Sequence, residues 1–258
     1  MENVIKINRV IEKGSNKYNL TGIGDIHKGS KNHDKQTYKK NMSWLWEHKE
    51  HDLVLMGDLI ECATKKSKGY NDQIMKIDDQ IDEIIEEFAP FADEGRILGL
   101  LEGNHELRAY EQASVNVTHR ISRELNIRNL GVGAVFYIHV NNEGTSRGQN
   151  YGMYVQHGAS GARTAGGKLN AVVRMREIIA NLDLYMMGHL HTLDHHTAEP
   201  FVMDRGILRL LTQHFVITGS YMKYTGSYAQ RKGYPPAGKL GSARIGFHTD
   251  EHLVSVKI

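Results

Sequence analysis

The chain has 258 residues, 40% hydrophobic and 24% charged, enough to bury a substantial core in one large domain or two small ones. A formal net charge of +2 is too small to mark a nucleic-acid or membrane partner by itself. Residues 1–6 lack the apolar run of a signal peptide, no stretch reaches bilayer length, and the single Cys62 excludes intrachain disulfides and thiolate metal cages, so a reducing cytoplasm and no membrane contact are expected.

In chain order, one pattern recurs. An apolar, strand-like run gives way at once to ligand-type side chains, most often through a glycine. Residues 18–24 lead into Asp25-Ile26-His27. The helical spacing of 34–48 follows, and then 53–57 leads into Asp58. Residues 72–89 place Ile74, Ile77, Ile81, Ile84, Ile85 and Phe88 on one helical face. The carboxylates of Asp78, Asp79, Asp82, Glu83, Glu86 and Glu87 fall on the other face, which reads as solvated rather than catalytic. Residues 97–103 lead into Asn104-His105-Glu106, and 151–156 into His157-Gly158.

A further helix is expected over 167–181, through Leu169, Val172, Val173, Met175, Ile178 and Ile179. Residues 184–188 then lead into His189-Leu190-His191. Beyond 193 the texture changes to short alternating stretches, with strands expected at 207–211, 214–218, 243–248 and 253–258. Strands alternating with helices predict an α/β sheet, with ligand groups gathered at the carboxyl ends of the strands. No Pro/Gly/Ser linker, internal repeat or low-complexity tract divides the chain, so a single domain over 1–258 is expected.

The five clusters supply two Asp, one Asn and five His. Oxygen and imidazole donors without thiolate suit divalent first-row ions such as manganese, iron or zinc. Eight such groups are too many for one ion that keeps open positions for water, and about right for two. Two ions roughly 3.5–4 Å apart clamp both oxygens of an in-line displacement at phosphorus. The glycines let backbone approach the ions closely and turn sharply.

The ordered series GDIH, GD, GNHE, HG and GHLH, spanning residues 25 to 191, resembles the calcineurin-like metallophosphoesterase family. The resemblance implies a four-layer α/β sandwich of two mixed β-sheets flanked by helices, with the strands after 193 completing the second sheet. It implies two divalent metal ions, manganese first, with iron, zinc, nickel or magnesium also fitting. Asp25, His27 and His191 would hold one ion and Asn104, His157 and His189 the other, with Asp58 bridging. His105 would face the substrate as general acid or phosphate donor while a metal-bridging hydroxide attacks phosphorus. A fold retained only as a binding module would show lost ligands, and this chain keeps every one.

Other motifs carry less. Gly22-Ile23-Gly24 has His27 where a dinucleotide fingerprint has its third glycine, and the 161–168 loop is one residue too long for a phosphate-binding Walker loop. Arg163 and Lys168 in that loop are candidate substrate contacts, since it leaves ligand-bearing His157. His195 and His196 read as a surface strand, and Cys62 as packing.

Residues 205–249 hold seven Lys or Arg and no Asp or Glu, with Tyr221, Tyr224, Tyr228 and Tyr234 interleaved. Lysines also follow the first cluster (Lys28, Lys31, Lys35, Lys39, Lys40) and the second (Lys65, Lys66, Lys68). Cations that neutralise phosphate and rings that stack on bases favour a phosphodiester of nucleic acid, DNA or RNA, or of a nucleotide. The catalytic core of SbcD-type DNA exonucleases is similar in style, though the long C-terminal region usual in those nucleases is missing from this sequence. The alternative is a phosphomonoesterase, including a protein phosphatase. GNHE and Arg108 fit that reading, while Glu102 and Leu59-Ile60-Glu61 depart from the serine/threonine phosphatase pattern.

Overall fold

A computed structural model describes residues 4–67, 69–145, 147–236 and 238–258. In chain order the elements are β1 (Ile5–Ile11), β2 (Lys17–Ile23), α1 (Lys35–Glu47), β3 (His51–Leu55), α2 (Ile77–Asp93), β4 (Ile97–Leu101), α3 (Asn104–Ala113) and α4 (Val117–Glu124). They continue as β5 (Asn129–Gly131), β6 (Gly133–Asn142), β7 (Gly148–Gln156), α5 (Ala165–Val173), α6 (Met175–Ile178), β8 (Leu184–Met187) and β9 (Leu193–Ala198). The remainder are β10 (Phe201–Asp204), β11 (Ile207–Leu210), β12 (Gln213–Thr218), α7 (Tyr228–Arg231), β13 (Ala243–His248) and β14 (Val254–Lys257).

Two six-stranded sheets form, in the orders β14-β13-β2-β3-β4-β5 and β1-β6-β7-β8-β12-β9. Both are mixed: β2, β3 and β4 run parallel with β13 antiparallel to β2, while β7, β8 and β12 run parallel with β9 antiparallel to β12. The late strands do not all complete the second sheet. β9 and β12 join it, β13 and β14 extend the first, and β10 and β11 pair with each other as a separate two-stranded sheet.

The side-chain alternation of β3 explains the layering. Leu53 and Leu55 point into a core shared with Tyr38, Leu45, Ile84, Phe88 and Ile121 of the helices α1, α2 and α4. Val54 and Met56 point the other way, against Phe136, Ile138, Val155 and Met186 of the second sheet. Every residue of β3 is buried because the strand is covered on both faces. The outer face of the second sheet packs Tyr185, Phe215 and Ile217 against Val172 and Met175 of α5 and α6. The result is helix, sheet, sheet, helix. Each fully buried aliphatic or aromatic side chain contributes roughly 1.5–3 kcal/mol to holding the layers together.

The α2 pattern starts later than its apolar periodicity predicts. Ile74 lies outside the helix and exposed, because its N–H is drawn to Gly29 O at 2.8 Å. The helix begins at Ile77 and runs on to Asp93. Its acidic face is solvated at Asp78, Asp79, Asp82 and Glu86, with Arg120 bridging Asp78 and Asp82. Glu83 and Glu87 instead turn inward to the buried Lys28, and Tyr38 O–H donates to Glu87. No helix among the described residues is long and apolar enough to cross a membrane.

Candidate metal centre

The carboxyl ends of β2, β3 and β4 in one sheet and of β7 and β8 in the other open toward one place, and the five clusters meet there. Asp25 and His27 follow β2, Asp58 follows β3, Asn104 and His105 open α3 after β4, His157 follows β7, and His189 and His191 follow β8. Donor atoms of Asp25, His27, Asp58 and His191 lie within 4.8 Å of one another, as do those of Asp58, His157 and His189. Asp58 is common to both groups.

The backbone around these groups is held in conformations that side chains other than glycine rarely adopt. Asp25, His27, Asp58, His189 and His191 have φ of 47°, 51°, 49°, 65° and 50°. Such residues cost about 1 kcal/mol or more each and persist where the surroundings fix them. Here the N–H groups of Ile26 and His27 both donate to Asp58 O, and the N–H of His189 donates to the Asp25 carboxylate at 2.9 Å. Gly57, at φ 84°, brings the two strand ends together, since a Cβ there would lie 2.8 Å from Gly103 Cα. A Cβ on Gly103 would overlap the Asp58 amide and carboxylate.

The donor set fits a cation. His157 Nδ1 lies 2.7 Å from Met56 O, which only accepts, so Nδ1 carries the proton and Nε2 faces Asn104 Oδ1 at 3.1 Å and Asp58 Oδ2 at 3.4 Å. A lone pair aimed at oxygen lone pairs is repulsive unless a proton or cation lies between them. His27 and His191 meet Nε2 to Nε2 at 3.1 Å, with Asp25 Oδ1 3.2 Å from His191 Nε2. Asn104 Oδ1 also contacts His189 Nδ1 at 2.7 Å. These residues could hold metal ions.

The electrostatics agree. Burial works against a charged His157, but the Asp58 and Asp25 carboxylates outweigh it and lift the ring to about 10. Burial likewise opposes charge on His27, which contact with Glu61 and then Asp58 and Asp25 raises to about 9. Asp58 is pushed well below the carboxylate range, as the neighbouring His105, His157 and His27 overcome its burial. The pocket therefore demands positive charge, supplied by protons when nothing else is bound.

Two acidic residues outside the sequence-derived site shape it. Glu106 accepts from the N–H groups of Asp58, Leu59 and Ile60 at 3.0, 2.7 and 3.2 Å, clasping the start of α3 to the loop after β3. Its burial, reinforced by Asp58, raises it to about 7. Glu61 is buried beside the imidazoles, with Oε2 3.2 Å from His27 Nδ1, and its backbone O accepts from His105 Nδ1 at 2.7 Å. The sequence marked Glu61 only as a departure from another pattern. Its place three residues after Asp58 was the available signal.

A cavity of about 520 Å³ opens over the cluster. His105, Arg108, Arg163, Lys168, Lys223, Tyr224, Tyr228 and Tyr234 are on its wall. Arg163 stacks its guanidinium 4.7 Å from the Tyr234 ring, and Lys168 Nζ reaches Thr192 Oγ1 at 2.5 Å. The rest of the basic, tyrosine-bearing segment does not form one surface with it. Tyr221 is buried on Asn41 and Ser242, Arg244 stacks on Trp44, Arg209 pairs with Asp204, and Arg231 with Asp72. Lys28 is buried on Glu83 and Glu87, and Lys31 binds Asp72. Lys68 lies outside the described residues.

No family model and no curated protein sequence matches the chain. Among solved structures, Yfce, a phosphoesterase from E. coli, aligns at 14% identity over 89% of this chain and 87% of its own, with a TM-score of 0.39. A likeness at that level carries no functional weight.

Proposed function

We propose that the chain is a two-metal phosphodiesterase that hydrolyses phosphodiester bonds of nucleic acid or a nucleotide, with the whole chain acting as one domain. The observation that carries this reading is the pair of donor groups sharing Asp58, one with Asp25, His27 and His191, the other with His157 and His189, completed by Asn104. A bound metal pair supplies an activated water and neutralises charge at phosphorus. Manganese suits the oxygen and imidazole donors, and the absence of thiolate argues against softer ions.

His105 takes the proton-transfer role. Its Nδ1–H is committed to Glu61 O, which leaves Nε2 for the cavity, 3.9 Å from Asp58 Oδ2. Burial holds the ring neutral down to about 4, against the pull of Asp58. An arriving phosphate anion supplies the charge that brings a proton onto Nε2, ready for the leaving oxygen. Arg163, Lys168 and Lys223 offer cations to flanking phosphate, and the cavity tyrosines offer rings to a base.

Arg108 favours a second reading, a phosphomonoesterase, because a guanidinium on the cavity wall suits a phosphate dianion. The Glu61 carboxylate beside it works against a dianion more than against a diester monoanion. The deciding experiment compares bis-p-nitrophenyl phosphate with p-nitrophenyl phosphate, with added Mn²⁺ and with chelator. Metal-dependent preference for the diester is expected. Preference for the monoester would overturn the diester assignment, and tight metal binding without hydrolysis of a broad phosphoester panel would leave a binding module.

A further inference from the structure

We infer that the β10–β11 hairpin is a self-association arm, and that the chain forms a two-fold symmetric dimer through it. The inference is independent of the metal centre.

In an antiparallel pair, residues directly opposite each other share a face. Phe201 stands opposite Leu210 and Met203 opposite Leu208, so one face of the hairpin consists of these four side chains. They are 66%, 58%, 70% and 59% exposed. The other face mixes Val202 and the exposed Ile207 with Asp204 and Arg209, which form an ion pair of 3.3 Å, so only the first face is wholly apolar. The ribbon leads out from the β9–β12 pair and is kept continuous by the Leu211 N–H on Pro200 O at 3.0 Å. An isolated two-stranded hairpin is at best marginally stable in water, and an apolar face of this kind calls for a cover.

The size and chemistry of the face point to a second copy as that cover. At these exposures, with side chains of roughly 150–200 Å² each, the face leaves on the order of 450 Å² in water. Stacking two copies face to face removes about 900 Å², roughly three quarters of the ~1,200 Å² at the low end of stable interfaces, before the flanking backbone is counted. The face carries no charge, so it offers an unlike partner no electrostatic address, whereas self-packing about a two-fold axis needs only a patch that complements itself. The tip carries Asp204 and Arg205 beside the apolar face, and the cost of burying those charges among lipid chains argues against a lipid surface as the cover.

Sedimentation velocity on the full metal-supplemented chain tests the inference. The wild type is expected at twice the 29.2 kDa chain mass in the micromolar range. Met203→Glu and Met203→Lys, each with unchanged circular dichroism and melting temperature, are expected to be monomers alone and to restore the dimer when mixed, which a folding defect would not do. A wild type that is monomeric at all concentrations overturns the inference. So does a dimer that both variants leave intact, or a monomer that floats with phosphatidylcholine vesicles.

Discussion

The Glu61 carboxylate lies 3.2 Å from Nδ1 of His27, behind a ring whose Nε2 faces that of His191 at 3.1 Å. A carboxylate in that position orients an imidazole and raises its basicity toward a metal. Glu61→Gln keeps the shape and removes the charge, and it should weaken Mn²⁺ binding about 10- to 100-fold. Titration calorimetry reads this directly, and undiminished affinity would leave Glu61 without a positioning role.

His105 is a separate case, because its Nδ1 is engaged by Glu61 O and its Nε2 faces the cavity. His105→Ala should lower phosphoesterase turnover about 10²- to 10⁴-fold, the usual range for a lost general acid. Metal content, measured by mass spectrometry on the same preparation, should not change. Equal turnover in the variant would remove the assigned role.

Gly103 separates Asp58 from the start of α3. A Cβ there overlaps the Asp58 amide and carboxylate, so Gly103→Ala must displace the loop after β3 or the helix. A loss of about 1–3 kcal/mol in stability is expected, with weakened metal binding. Gly166→Ala is the control, since its Cβ meets nothing within 4 Å. Denaturant unfolding of the two variants should separate them clearly, and equal midpoints would contradict the close approach.

Acid should destabilise the protein in a defined window. Burial holds His51 and His214 neutral down to about 4, with His195 adding to the effect on His214, while the unfolded chain protonates near 6.5. For these two rings the unfolded state therefore binds more protons between those values, so their contribution is full above pH 6.5 and lost as pH falls toward 4. Each ring contributes on the order of 1–2 kcal/mol once solvent screening is allowed for. His27 and His157, raised above 6.5, act only on the alkaline side. Glu106, raised to about 7, gains stability as pH falls from 7 toward 4.5 and offsets part of the loss, which is why the comparison with His51→Asn isolates the imidazole contribution. Melting temperatures of chelator-treated protein across the window should fall with pH, and His51→Asn should flatten the slope. An unchanged slope would place the acid sensitivity elsewhere.

Arg163 and Tyr234 stack on the cavity wall at 4.7 Å. On the nucleotide reading, Arg163→Ala should reduce kcat/KM for a dinucleotide about 5- to 30-fold, the equivalent of 1–2 kcal/mol. The effect should fall mainly on KM and be much smaller for bis-p-nitrophenyl phosphate. An equal loss on both substrates would place Arg163 at the reacting phosphate rather than beside a flanking group.

The amino-acid sequence by itself determined the strand, turn and ligand pattern at five places, and with it the α/β class and the eight residues that gather. Those signals are local. A buried strand writes its apolar run in consecutive residues, and the ligand-type side chains follow at its end, so Asp25, Asp58 and His157 were legible without knowing what they would meet. The helices α3, α4 and α7 and the strands β1, β5, β6 and β10 are not legible in the sequence, because Asn104-His105-Glu106 marks a site rather than a helix start and the other patterns are short or half-exposed.

Tertiary structure alone decided the rest. Glu61 joined the cluster because its backbone O and carboxylate meet His105 and His27, contacts across 44 and 34 residues that no local spacing records. From sequence the basic, tyrosine-bearing stretch favours a polyanionic substrate or else an ordinary solvated surface, and the fold splits it: Lys223, Tyr224, Tyr228 and Tyr234 line the cavity while Arg209, Tyr221, Arg231 and Arg244 are drawn to partners elsewhere. In the sequence the stretch 207–211 reads as an ordinary strand, and nothing there marks its partner β10 or the apolar face the two share. An alternating pattern says which residues share a face, and only the packing of the other layers says whether that face is covered.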